Sequence, residues 1–340
     1  MSRARLVFVP LFLLSAAQAF AADTTGTQPG PWQYGATAAL NLSQSAYSSN
    51  WKGGDRGSIN WVMQGDVEAQ RQMSHWFNFS NLLQLSYGQT AKQVDDPADP
   101  NRIVFDRPEK TTDLILLEST GRFTLDTWVD PFLGLRVESQ FSDQTDPRGD
   151  LLFNPVRFTQ TAGVARVLIK EDSREWITRV GFSVRETFGR AFADSLGAST
   201  TSSTSIDGGI EWLSTVDQPL LGKRVLYKGR LLVFVPLFFD QSGDLEDFDR
   251  LALAAMPGRE EIADFWKAPN VNFQNTFTAP ITKNLNVNLF VQWVYLKFDQ
   301  SIDVDTGKPI AELIPIVDAG IRKAGQLKQT LAIGLTYTLF

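Results

Sequence analysis

The chain has 340 residues, a formal net charge of −6, a single histidine and no cysteine. The acidic balance argues against a nucleic-acid partner, because phosphate binding needs a basic face. The lack of cysteine excludes disulfides, thiolate metal sites and cysteine nucleophiles together.

The N-terminus reads as a secretory signal peptide over residues 1–21. Arg3 and Arg5 form a charged start, Leu6 to Ala17 is apolar, and Ala19-Phe20-Ala21 is a small-x-small cleavage site. The apolar run is well short of the roughly 20 residues that a spanning helix needs. Residues 22–340 are expected to form one domain.

From there the chain alternates apolar and polar residues in segment after segment. In Ser58 to Gln70, Ile59, Trp61, Met63, Val67 and Ala69 share one face, and Gln64, Asp66, Glu68 and Gln70 share the other. A period of two means a strand with one greasy and one wet face. Strands are expected at Trp32–Gln44, Ser58–Gln70, Phe77–Gln89, Asp113–Leu125, Trp128–Phe141 and Arg157–Lys170. The series continues with Trp176–Phe188, Ser205–Thr215, Leu226–Phe239, Val271–Thr282, Leu285–Asp299 and Gln329–Phe340.

Their connections alternate between tight turns and long polar loops. Met73-Ser74-His75, Asp126-Thr127, Glu171 to Glu175, Gly222-Lys223 and Lys283-Asn284 are tight. The stretches 46–57, 90–112, 142–155, 190–204, 240–270 and 300–328 are long. Short turns at one end, long loops at the other and an even strand count define an all-β, antiparallel up-and-down transmembrane barrel of about twelve strands, as in the bacterial outer membrane. Its expected partners are outer-membrane lipid and, during biogenesis, the barrel-assembly machinery. Two long loops carry helical spacing: Leu245 to Ala255 with Glu260 to Trp266, broken at Met256-Pro257-Gly258, and Pro309 to Ile321. They form either a solvated external cap or a lid over the lumen.

No residue set points to catalysis, and no cofactor or metal is expected. His75 lies alone in a short turn, with no serine placed for it to activate on the lipid-facing side. The acidic run Asp240 to Asp247 has oxygens at alternate positions. It lacks the glycine at the sixth position of a calcium loop, and Leu251 stands where a bidentate glutamate belongs.

The lumen is more informative. With the polar parity of each strand inward, the acids facing the interior are Asp66, Glu68, Glu118, Glu138, Asp207 and Glu211. The bases are Arg122, Arg136, Arg179, Arg185, Lys228 and Arg230. Opposite signs on neighbouring strands, Glu118 and Arg122 against Arg136 and Glu138, are expected to form a cross-strand ladder. Such an interior is either a salt-bridged plug or a polar path for small solutes. Trp76, Trp128 and Trp176 each follow a short turn, where aromatic girdles anchor barrels. By parity Trp176 faces outward with Val180 and Phe182. Trp76 and Trp128 share the inward face with Asn78 and Asp130, which would let them close the mouth of the barrel.

The ordered set Trp51-Lys52-Gly53-Gly54, Ser58-Ile59-Asn60-Trp61, Trp76-Phe77-Asn78, Leu85-Ser86-Tyr87-Gly88, Glu109 to Asp113, Ser139-Gln140-Phe141 and Phe153-Asn154-Pro155 resembles an outer-membrane family, domain of unknown function 3078. The resemblance spans about Trp32 to Phe188. It implies an outer-membrane barrel and carries over no activity, substrate or site residue. The chain ends on an aromatic, Phe340. Leu335, Tyr337 and Leu339 lie on the opposite parity from it, unlike the usual barrel terminus. The expected role is a narrow channel or uptake component for small solutes. The alternative is a structural or surface-interaction barrel with a plugged lumen and ligand-binding loops.

Overall fold

The computed structural model describes residues 28–338 apart from 46, 48–55, 126, 147, 172, 194–196, 303 and 306. The expected signal peptide, the motif at 51–54 and the terminal Phe340 lie outside the described residues.

Twelve strands close into an antiparallel barrel. They are β1 (Gln33–Ser45), β2 (Ser58–Ser74), β3 (Phe77–Asp96), β4 (Glu109–Phe123), β5 (Asp130–Ser139) and β6 (Val156–Glu171). Then come β7 (Arg174–Phe192), β8 (Thr200–Leu220), β9 (Val225–Phe239), β10 (Asn270–Pro280), β11 (Leu285–Tyr295) and β12 (Gln326–Thr338). Each pairs with its neighbour in sequence. The ring closes where β1 meets β12, from Thr37 opposite Thr338 to Leu42 opposite Ile333. Closure leaves no unpaired strand edge along the wall.

The structure departs from the sequence reading mainly at the long-loop end. Residues 90–112 are not a loop. β3 and β4 run on past the expected limits, and a further short strand, Asp99–Phe105, folds back with Val94 opposite Val104. A strand projecting beyond the apolar band has no greasy face to maintain, so its alternation fades although its pairing continues.

The outer wall is apolar around the ring. Met63, Leu133, Leu237, Leu331, Ile333 and Leu335 are all more than half exposed, and an apolar outer band is what a lipid-facing barrel surface requires. At the short-turn end, Trp76 stacks on Phe123, and Phe77 stacks on Phe79. This corrects the expectation that Trp76 closes the mouth. Its turn swings the indole outward, into an aromatic belt. Among the described residues no helix is long and apolar enough to cross a membrane, which says nothing of strands.

At the opposite end the long loops after β9 and β11 fold together into a cap. α1 (Ser242–Ala255) buries Leu245, Phe248, Asp249 and Ala252, which recur at helical spacing on one face. α2 (Ile310–Ala319) buries Leu313 and Val317 against it. The second expected helix, Glu260 to Trp266, reduces to one 3₁₀ turn, Phe265–Lys267. The buried Asp249 carboxylate explains this, since it accepts the backbone N–H groups of Ile262 and Ala263 at 2.7 Å and holds that segment against α1 in place of helical bonds. Phe239, Ile262, Phe265, Trp266, Phe298 and Val304 complete this small core.

Candidate functional site in the barrel lumen

The ionic groups of the lumen occupy mainly the half walled by β4–β9, where they bridge the interior rather than climb the wall. Arg136 on β5 lies opposite Glu118 in register but turns to Glu211 on β8, three strands away. Its Nη2 donates to Oε2 at 2.5 Å and its Nη1 to Oε1 at 3.3 Å. The Arg136 Nε also faces Glu138 at 3.5 Å. Glu118 is free to reach the far wall, where it accepts from Arg179 on β7 and, at 3.0 Å, from Arg230 on β9. Arg122 lies 3.8 Å from Asp130. The expected cross-strand ladder of Glu118 and Arg122 against Arg136 and Glu138 is therefore replaced by bonds across the lumen. A guanidinium reaches across a narrow barrel, and its fork matches a carboxylate in two-point contact.

Nearer the long-loop end, Arg185 on β7 pairs with its register partner Asp207 on β8, with Nε 2.9 Å from Oδ1. The guanidinium also lies 3.6 Å from the ring centroid of the fully buried Phe234. Arg136, Arg185, Asp207 and Glu211 are each less than 9% exposed.

Other sequence-predicted residues stand apart from this network. Asp66 is half-buried and accepts from Gln84 Nε2 at 3.3 Å, while Glu68 is exposed. Lys228 pairs at 3.4 Å with Asp217, both well exposed.

The other half of the wall is mostly carboxamide, which the sequence reading missed. Asn41 Nδ2 donates to Gln64 Oε1 at 2.9 Å, and Asn288 Nδ2 donates to Asn41 Oδ1 at 2.8 Å. Gln292 Nε2 donates to Asn272 Oδ1 at 2.9 Å. The bond between Asn288 on β11 and Asn41 on β1 passes over Gly334 on β12, where a Cβ would lie 2.4 Å from Asn288 Nδ2 and 2.6 Å from Asn41 Oδ1. The period-two run Asn286, Asn288, Phe290 and Gln292 was the available signal. Amides carry no charge, so a search for paired charges passes over them.

The cap is tied into the lumen by one further residue absent from the sequence reading, Gln300. Its Oε1 accepts from Arg185 Nη2 at 2.7 Å and its carbonyl accepts from Ser205 Oγ at 2.7 Å. Its Nε2 donates to the Trp266 carbonyl at 3.2 Å. Gln300 thus joins the β7–β8 wall to the cap core. Among the described residues no group of three or more His, Asp or Glu is placed to hold a metal ion. His75 sits exposed in its turn, and its carbonyl accepts from Thr124 Oγ1. Of the two tryptophans expected at the mouth, Trp128 is there, 77% exposed with the Arg166 guanidinium 4.8 Å from its ring centroid.

Residues 42–144 match the model of a family described as a protein of unknown function (DUF3078). The chain resembles that family over a shorter span than Trp32 to Phe188. No curated protein matches the chain. Among solved structures, it is similar to an outer-membrane channel from Pseudomonas putida F1, at 13% identity over 94% of this chain and 99% of that one, with a TM-score of 0.39. It is also similar to the translocator domain of the autotransporter NalP from Neisseria meningitidis, at 10% identity over 93% and 90%, with a TM-score of 0.33. The β domain of a Bordetella autotransporter gives 13% identity over 92% and 99%, with a TM-score of 0.30. The chain is an outer-membrane-type β-barrel.

Proposed function

We propose that this protein resides in the bacterial outer membrane as a barrel closed at rest, which passes small polar solutes when its cap leaves the lumen. The long loops are assigned to the cell exterior and the short turns to the periplasm. The reading includes no catalytic activity, cofactor or nucleic-acid partner. Lipid surrounds the wall, and the barrel-assembly machinery inserts it.

The observation that carries the reading is the attachment of Gln300. Beside the apolar packing of Phe239 at the end of β9, the cap meets the lumen wall through hydrogen bonds from Arg185 and Ser205 to Gln300. A hydrogen bond contributes on the order of 0.5–1.5 kcal/mol net, so a few of them hold a cap in place and still permit release. A barrel sealed permanently from above would do better to continue the apolar core into the lumen.

A second reading, a permanently plugged barrel whose external loops bind a surface ligand, is favoured by the buried Arg136–Glu211 pair. Planar-bilayer recording separates the two. Wild type is expected to show rare, brief openings, and Gln300→Ala to open more often. If wild type, Gln300→Ala and the Gln300→Ala/Arg136→Ala double variant all stay silent, the channel reading fails and the plugged barrel replaces it.

A further inference from the structure

At the short-turn end, remote from the cap, the barrel opens into a cavity of about 610 Å³. We propose that this cavity binds a small polyanion, a molecule bearing two or more carboxylate or phosphate groups. The proposal does not depend on whether the barrel conducts.

The cavity lining includes four basic residues, Arg71 from β2 and Arg166 from β6 at outward-parity positions on the rim, and Arg122 from β4 and Lys170 from β6, with Asp130 as the one carboxylate among the described lining residues. In a chain whose net charge is −6, the described lining residues carry a local excess of three positive charges. Their pairing is incomplete. Arg122 is only 15% exposed at its side chain, and its Nε stands 3.8 Å from Asp130, beyond hydrogen-bond reach. The Asp130 Oδ1 accepts from the Leu125 backbone N–H at 3.2 Å, and its Oδ2 is the atom that faces Arg122. Arg71 donates only its Nε, to the Gly30 carbonyl at 3.0 Å. Arg166 lies over the Trp128 ring, a contact that leaves the edge of its fork unused. Lys170 is the exposed member, 3.7 Å from Glu175.

A mostly buried guanidinium with no hydrogen-bond acceptor, as at Arg122, loses hydration without recompense. Guanidinium forks match carboxylate and phosphate oxygens in two-point contact. An anion in the cavity fills the open donor positions and offsets the local positive excess. The volume lies within the range of about 300–1,000 Å³ usual for small-molecule sites. Elsewhere in the lumen the arginines are neutralised by carboxylates of the chain itself, as Arg136 is by Glu211. At the mouth Arg71 and Arg166 have no such carboxylate among the described residues.

The test is calorimetric titration of the folded barrel in neutral detergent at low salt, with citrate and inorganic pyrophosphate as separate probes. Wild type is expected to bind at least one of them saturably. Arg122→Gln and Arg71→Gln are expected to weaken binding by at least about tenfold, since each removes a charged hydrogen-bond donor. Arg250→Gln, on the exposed side of the cap, serves as control and should bind as wild type does. The stronger probe tells carboxylate from phosphate chemistry. Displacement of it by phosphatidylglycerol in nanodiscs would make a lipid headgroup the natural source, and no displacement would make that source a soluble anion. The proposal is overturned if neither probe binds saturably, if both mouth variants bind like wild type, or if Arg250→Gln weakens binding as much as they do. Gel migration of unheated samples shows whether each variant is folded before it is titrated.

Discussion

Arg136 and Glu211, three strands apart around the ring, meet across the lumen in a two-point contact, and both side chains are about 6% exposed. Removing the arginine strands a buried carboxylate. Breaking such a pair costs about 3–5 kcal/mol in a dry site, and lumen water screens part of that. Arg136→Ala is therefore expected to lower barrel stability by on the order of 1–3 kcal/mol, read by equilibrium unfolding from lipid vesicles. It should also raise conductance in bilayers. Arg136→Leu combined with Glu211→Leu should lose less stability than Arg136→Ala alone. A double variant that is the less stable of the two would contradict this account of the pair.

Phe248 is fully buried in the cap, with the Arg259 guanidinium 5.4 Å from its ring centroid. Phe248→Ala should cost the cap about 3–5 kcal/mol while leaving the strand ladder intact. Limited proteolysis of the folded protein should then cut within residues 240–269 or 296–325, where wild type resists. Equal protease resistance would mean that the apolar cluster does not hold the cap together.

Gly334 allows the Asn288–Asn41 bond to form over β12, since a Cβ there would crowd both amides. Gly334→Val is expected to break that bond and destabilise the barrel by about 1–3 kcal/mol through overpacking and unpaired amides. Gly65→Val, where a Cβ meets open space, should stay within about 0.5 kcal/mol of wild type. Equal losses in vesicle unfolding would remove the special role of position 334.

The alternation of short and long connections gives the barrel a direction. A peptide tag inserted between Asp146 and Gly149 should be labelled on intact cells, and one at Ser74 should not. Unheated and boiled samples should migrate differently on gels, as closed membrane barrels do. Labelling at Ser74 alone would invert the proposed topology.

His75→Ala should leave conductance, gel migration and any deletion phenotype unchanged, because the imidazole lies on an exposed turn and the hydrogen bond from Thr124 goes to the backbone carbonyl of this residue. A deletion-like phenotype at normal protein level would reopen the case for histidine chemistry.

The strand count, antiparallel order and face of each strand follow from alternation, because a period of two leaves only one way to separate apolar from polar residues on a pleated chain. Met63 and Val67 outward with Asp66 inward are examples. Alternation also says that Arg136 and Glu211 share the lumen. It is silent on their meeting, because that depends on how twelve tilted strands close and which side chains then span the interior.

Partner choice was decided in three dimensions. Register alone sets Glu118 against Arg136, but each finds a partner on another wall, where two-point geometry is available. The cap followed the same division. Helical spacing made α1 and α2 legible, whereas the role of Gln300 was not, since its partners Arg185 and Ser205 lie 115 and 95 residues away. Local periodicity is written in neighbouring residues and survives in the sequence. Contacts across a lumen join residues that share no periodicity, so only closure of the barrel brings them together.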